Sequence, residues 1–502
     1  MIKANNKTIV FNIITSISVQ VVTIVCGFIL PKVILNTFGS EVNGLVSSLT
    51  QVLSYINLLE GGISGVIQAA LYKPIIEKNG DQINSVINTA QAFFRKIAIV
   101  MAIYSVSVAV LYPLIVKNEL GFAYVSSLTL ILSITLFLQY IFSITYKLVL
   151  TADGKVFIIS IVQIIVTILN TVLTIVLIKM YPSIHLVKFG SALVYLLQPI
   201  VFTYFVRKEY KLDKSIKSSN ALLAQRWDGF AINIAAFVHN NTDIVVITLI
   251  LGLKEVSVYS VYYLVVSGLK RLIIAVSQSF APRIGQVYAS GDTEKLKKDF
   301  HFYELVILLL TFFCFTVGGL CVTQFVQLYT LNIHDADYNR PLFGWLLMIS
   351  EMIFCIREPY VTMAYSANRF KQFTFIAYAE AVMNIVISVV LAYFCGIIGI
   401  AIGTVISMGF RTVAQILYLH KHILHESILC LFKGVIVLTV FVVPACILSM
   451  ILIKMENITI ASWIMFAVIN SVIIAVSIAA ATLIFYRRQI GSLIGIFKRR
   501  KV

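Results

Sequence analysis

The sequence predicts an all-α polytopic membrane protein, and three observations carry that prediction. Of the 502 residues 60% are apolar and only 12% are charged, against roughly 45–50% and about 25% in a soluble domain. No aqueous core accounts for such an excess. Apolar runs near the length of about 17–25 residues that crosses a bilayer follow one another along almost the whole chain. The bases, which give a net charge of +17, gather in every second connecting segment.

Fourteen spans follow in order, at about 9–30, 42–71, 97–116, 121–146, 156–178, 186–206, 229–251, 256–281, 304–328, 341–367, 372–395, 397–419, 432–453 and 460–486. Lys3 and Lys7 precede a first run too long for a signal-peptide core, and no Ala-x-Ala cleavage site follows it, so a retained first helix is expected. With the N-terminus inside, the segments assigned to the cytoplasm hold 29 Lys and Arg, the outer loops seven, and the spans three, Lys270, Arg271 and Arg357. Lys and Arg concentrate in cytoplasmic loops, so both termini are expected in the cytoplasm. The positive charge is then a topology signal and a match to anionic membrane lipids, not a nucleic-acid footprint. The basic tail Lys498-Arg499-Arg500-Lys501 belongs to the same signal. Seven cysteines without a CxxC pair suggest neither disulfides nor a metal site, and no cofactor motif is present.

Three landmarks recur at a nearly constant offset. Asn79-Gly80-Asp81 answers Ser290-Gly291-Asp292 at 211 residues, Thr151-Ala152-Asp153 answers Ser366-Ala367-Asn368 at 215, and the run from Asn170 to Leu177 answers that from Asn384 to Leu391 at 214. Six spans separate each pair, so the copies share an orientation and their axis lies along the membrane normal. Residues 1–206 and 227–425 then form two six-helix lobes joined by a polar linker, 207–226, with an added helix pair in 426–502. Inner repeats of this kind point to a transport site at midplane depth.

Ionised side chains inside hydrocarbon are costly and mark function by default. At 1.5 Å per residue, Lys270, Arg271, Glu60, Asp243, Arg357 and Glu358 form a belt near the midplane. Lys270 and Arg271 suit a diphosphate, Arg through bidentate bonds and Lys as a point charge; the alternative is a pair of bases that lock helices through acids. Asp243, one turn after His239, suggests a coupling proton or sodium ion or, equally, a polar helix lock. Arg357 and Glu358 precede Pro359, which favours a hinge or ion pair over a substrate contact, and a buried ion pair is expected for Glu380. His420, His422 and His425 are expected to be solvated at the interface. Glu60, bracketed by Gly61 and Gly62, aligns with Arg271 at the 211-residue offset and is expected to neutralise Lys270 and Arg271 in the resting state.

The stretch 380-Glu-Ala-Val-Met-Asn-Ile-Val-Ile-Ser-388 followed by Gly396-Ile-Ile-Gly-Ile-Ala-Ile-Gly-Thr404, the Phe280-Ala-Pro-Arg283 exit from span eight, and Gly291-Asp292 resemble the bacterial polysaccharide biosynthesis proteins. These are the O-antigen and capsule flippases, relatives of the multidrug and toxin extrusion (MATE) transporters. The resemblance implies two lobes around a central cleft in the cytoplasmic (inner) membrane. It also implies turning of an undecaprenyl-pyrophosphate-linked oligosaccharide to the outer leaflet, with a polysaccharide polymerase as a partner. An ion-coupled drug exporter is the second reading, and a membrane polymerase or glycosyltransferase the third. The exporter wants cavity acids without bases. The enzyme wants a sizeable aqueous loop, whereas the longest outer loop, Tyr329 to Arg340, has about twelve residues, so a non-enzymatic protein is expected.

Overall fold

A computed structural model describes residues 6–60, 63–216, 241–367, 370–453 and 459–485. The described residues are helical with short connections, and the chain divides into two compact units, Met1–Ser257 and Val258–Val502.

In the first unit α1 (Asn6–Ser54) contains the first expected span and the start of the second, which part at Gly39, where φ is 79°. A left-handed φ suits glycine because no Cβ opposes it. The second span is not the single helix expected from its hydropathy. A 3₁₀ turn, Tyr55–Glu60, interrupts it before α2 (Ile63–Glu77). There follow α3 (Gly80–Ile115), α4 (Phe122–Leu138), a π turn (Gln139–Ser143), α5 (Ile144–Ala152), α6 (Val156–Met180), α7 (Ile184–Tyr195), α8 (Leu197–Glu209) and α9 (Asn241–Ile250). α1 packs on α6, α3 on α4, and α7 on both α4 and α6, around a core that includes Leu45, Leu49, Leu53, Phe94, Val125, Leu128 and Val166. Lateral polar ties add specificity: Tyr112 donates to Ser48 at 2.7 Å, and Ser48 shares a 2.7 Å bond with Thr248.

α10 (Leu253–Ala289) begins in the first unit and continues into the second. The second unit adds α11 (Thr293–Tyr329), α12 (Pro341–Ser366), α13 (Phe370–Leu419), α14 (Leu429–Leu452) and α15 (Ile460–Phe485). Expected spans eleven and twelve are the two arms of α13, which part at Gly396, with φ 58° and ψ −138°. α11 is central here, packing on α12, α14 and α15. The added pair, α14 and α15, is seated on it through Leu320, Val437, Leu438, Phe466 and Ile474, and Trp463 donates its ring N–H to the Cys321 carbonyl at 3.2 Å.

Ten helices among the described residues are long and apolar enough to cross a membrane. Two of them, containing the breaks at Gly39 and Gly396, each reach into two expected spans. α12 falls outside that count because Glu351, Arg357 and Glu358 interrupt its apolar run, and α9 because only Asn241–Ile250 is described. The chain is thus an all-helical, multi-pass membrane protein. The Asn79 and Asp292 landmarks both act as helix N-caps, accepting from the backbone N–H of Gln82 at 3.1 Å and of Lys295 at 3.0 Å. These caps stand 213 residues apart, two more than the 211 taken from the sequence, and at that register Glu60 corresponds to Ile273 instead of Arg271.

The glycines after Gly396 let the arms of α13 touch. A Cβ on Gly399 would lie 2.1 Å from the Leu391 carbonyl oxygen, and one on Gly403 would lie 2.4 Å from Ser388 Oγ and 2.8 Å from its backbone nitrogen. Gly409 meets nothing within 4 Å. Overpacking a tight core costs about 1–3 kcal/mol, so Gly399→Ala and Gly403→Ala should each lower the melting temperature of the purified protein, whereas Gly409→Ala should not. Equal melting of all three variants would contradict the close contact.

Candidate functional site

The polar seam of α13 leads into the site. Asn384 donates to Thr404 and Ser407, each at 3.2 Å, and Ser388 donates to the Ile400 carbonyl at 3.4 Å. One turn before Asn384, Glu380 is fully buried and accepts from Arg411 of the opposite arm at 2.9 Å. The buried ion pair expected for Glu380 is present. Arg411 was not singled out from the sequence, although it lies well inside the apolar run of span twelve, and that position was the signal that could have shown it.

α12 supplies the next layer. Glu351, Phe354, Arg357 and Glu358 follow the three-and-four spacing that gathers side chains toward one side of a helix. Lys270 of α10 is 9% exposed, and its ammonium lies 2.9 Å from Glu351 Oε2 and 3.8 Å from the centre of the Phe354 ring. Within its own unit, the acid paired with Lys270 is Glu351. A ring face adds cation–π attraction to that pair. Arg271, the next residue along α10, is exposed, because neighbouring helical side chains point about 100° apart. The two bases do not act together on one face.

Arg357 is the largest of the fully buried side chains, 2% exposed. Its guanidinium lies 4.8 Å from the Phe354 ring centre, and Nε and Nη1 have no hydrogen-bond partner among the described residues. Its charged neighbours are Arg411, Glu380, Glu358 and Glu351. Three bases (Lys270, Arg357, Arg411) and three acids (Glu351, Glu358, Glu380) thus share one region, with two close pairs formed and Arg357 outside both. Pro359 follows directly, inside α12, where it removes one helical hydrogen bond and loosens the ladder.

The first unit holds a second polar region. Glu60 ends the 3₁₀ turn and accepts from Ser64; Tyr140, in the π turn, donates to Asn57 at 2.6 Å. Interrupted helices and π turns are frequent at functional sites. Asp243 is 9% exposed on α9, beside Asn241, which accepts from Gln51 and from the Tyr55 hydroxyl. His239 lies outside the described residues, as do Gly61 and Gly62 and the linker from 217 to 226. His420 is a correction. It is 2% exposed, not solvated, and faces Tyr360 at 3.5 Å.

These elements define a fold shared with membrane transport proteins. The flippase MurJ, described as a lipid II flippase in an inward closed conformation, superposes with a TM-score of 0.69 over 96% of this chain and 100% of its own, at 14% identity. A multidrug resistance MATE family transporter of the MOP superfamily superposes in its inward-facing form with a TM-score of 0.60, over 81% of this chain and 96% of its own, at 16% identity. The eukaryotic MATE transporter AtDTX14 gives 0.55 over 82% and 96%, at 13% identity. No protein-family profile and no curated relative matches the sequence.

Breaking a buried ion pair on one side costs about 3–5 kcal/mol, whereas replacing both partners by apolar groups is often neutral. Glu351→Gln and Lys270→Met should each lower thermal stability strongly, and Lys270→Met with Glu351→Leu should restore most of it. Additive losses in the double variant would show that the pair is not coupled.

Proposed function

We propose that this protein is a flippase that moves a lipid-linked oligosaccharide, carried on undecaprenyl pyrophosphate, from the inner to the outer leaflet of a bacterial cytoplasmic membrane for surface polysaccharide synthesis. Arg357 is the observation that carries the reading. A guanidinium buried at membrane depth is costly, and one with two unpartnered nitrogens, Nε and Nη1, is ready to receive a doubly charged, fork-shaped anion. Lys270 and Arg411 are already neutralised by Glu351 and Glu380, so they shape the site and Arg357 supplies the free donors. Exposed Arg271 is the first base that an incoming pyrophosphate meets. Bending at Pro359 then brings Arg357 into reach.

The extent of the structural likeness supports a lipid-linked substrate over a small cation. MurJ matches 96% of the chain and the MATE transporter 81%. An exporter of organic cations wants surplus acid in its site, and here acids and bases balance. Asp243 stays the candidate for a coupling proton or sodium ion, with Glu60 as a second intramembrane acid near Tyr140.

The test is polymer export in a strain that lacks its own flippase, with protein level monitored. Arg357→Ala should lower surface polysaccharide by about tenfold or more, the equivalent of one lost charge-assisted bond of about 1.5–3 kcal/mol. Arg357→Lys, which keeps the charge but loses the fork, should fall between the two. Full export by Arg357→Ala at normal protein level would overturn the reading.

A further inference from the structure

α11 has 37 residues, about 55 Å at 1.5 Å per residue, against a hydrocarbon thickness of about 30 Å. Its first turns, with Lys295, Lys297, Lys298, Asp299 and His301, therefore stand outside the apolar stretch. In that overhang the His301 ring is held between two carboxylates. Nδ1 lies 3.1 Å from Glu304 Oε2, one turn on, and Nε2 lies 2.7 Å from Glu426 Oε2 in the loop between α13 and α14. The loop is fixed in place. α13 runs into a π turn, His420–Leu424, His425 is left-handed with φ 52°, and the Glu426 amide returns to the His420 carbonyl at 3.4 Å.

Hydrogen-bond inventory decides what this arrangement holds. A carboxylate only accepts, and a neutral imidazole has one N–H and one lone pair. A neutral ring between two ionised carboxylates would set lone pair against lone pair at one of the two contacts. Both contacts are satisfied when the site carries one additional proton. The other groups around the ring agree with that count. From α11 itself Lys297 reaches Glu426 Oε1 at 3.3 Å; from α12 the Tyr360 hydroxyl donates to Glu304 Oε1; and from the end of α13 comes the buried ring of His420. Arg283 of α10 is held by Asp299 through bonds of 2.9 and 2.6 Å and is not available to either glutamate. With His301 protonated, the two carboxylates face two cations and the cluster is neutral.

We propose that His301, Glu304 and Glu426 form a proton-binding site that, when loaded, clasps the start of α11 to the loop leading into the added helix pair. The same helix also holds that pair through the apolar seat around Leu320 and through Trp463 on the Cys321 carbonyl, so the clasp governs the loop end of a longer attachment. Loss of the proton breaks one carboxylate contact and releases the loop end while the Trp463 contact stays. The bond to Glu304 raises the proton affinity of the ring, burial opposes it, and Glu426 adds to the increase. A ring whose folded affinity is raised contributes stability that is complete below the ordinary histidine value of about 6.5 and is lost as pH rises through the higher folded value.

The test uses full-length protein in lipid nanodiscs with nitrogen-15-labelled histidine. The chain has seven histidines, and subtraction of the His301→Gln spectrum isolates the ring in question. Near pH 7 both ring nitrogens of His301 should be protonated in the wild type, and the ring should be mostly neutral in Glu304→Gln with Glu426→Gln. Thermal midpoints should fall more steeply with rising pH in the wild type than in His301→Gln. If His301→Gln does not fold, Glu426→Gln alone serves for both readouts, with His301 titrating at lower pH than in the wild type. A neutral His301 near pH 7 in the wild type, or a variant whose stability has the same pH dependence as the wild type, would overturn the proposal. Neither readout depends on transport, so the outcome is separate from that of the flippase reading.

Discussion

Water is absent from hydrocarbon, so a charge buried there must be met by the protein itself. Much of the second unit follows from that constraint. Lys270 obliges α10 to lie against α12, where Glu351 and the Phe354 ring receive it. Glu380 and Arg411 oblige the two arms of α13 to stay in register. The small residues then complete what the charges begin, since Gly399 and Gly403 allow the close approach over which Asn384 and Ser388 make their bonds. A pairing that is costly to break is also a device for specifying one helix arrangement among many that bury similar apolar area.

Arg357 is set apart by the same accounting. Its neighbours include three glutamates and one arginine, yet two of those glutamates are engaged in close pairs elsewhere. The result is a cation that is compensated in net charge but not in hydrogen bonds. Such a group is a poor stabiliser; on the proposed reading an anion that enters gains donors already desolvated and oriented, with the buried pairs around Arg357 holding it in place and Pro359, two residues on, marking where α12 can bend.

Much of this fold was legible in the sequence because hydropathy is a local property. The apolar runs stand out one by one, Gly396 falls between the eleventh and twelfth, and the intramembrane position of Lys270, Arg357 and Glu380 follows from counting residues. Partnership is not local. Lys270 and Glu351 are 81 residues apart, and nothing in either stretch names the other. The repeat suggested Glu60 as the partner of Lys270 and Arg271, whereas the acid beside Lys270 in its own unit is Glu351. Averaging over apolar windows hid two more features, the break at Tyr55–Glu60 and the depth of Arg411. The Phe280-Ala-Pro-Arg283 motif was visible as a resemblance. Its physical task is the hairpin of α10 and α11, where Phe280 stacks on Tyr303 at 4.7 Å and Arg283 grips Asp299 with two bonds.

Binding of ligand to the purified protein tests most directly the claim that a buried base receives a lipid pyrophosphate. Native mass spectrometry with undecaprenyl pyrophosphate, undecaprenol and ethidium as probes separates charge from lipid chain and anion from cation. The account predicts that the pyrophosphate is retained, that undecaprenol is held far more weakly, that ethidium does not compete, and that Arg357→Ala abolishes the difference between the two lipids. Retention of ethidium with equal, weak binding of both lipids would contradict it and favour a cation exporter.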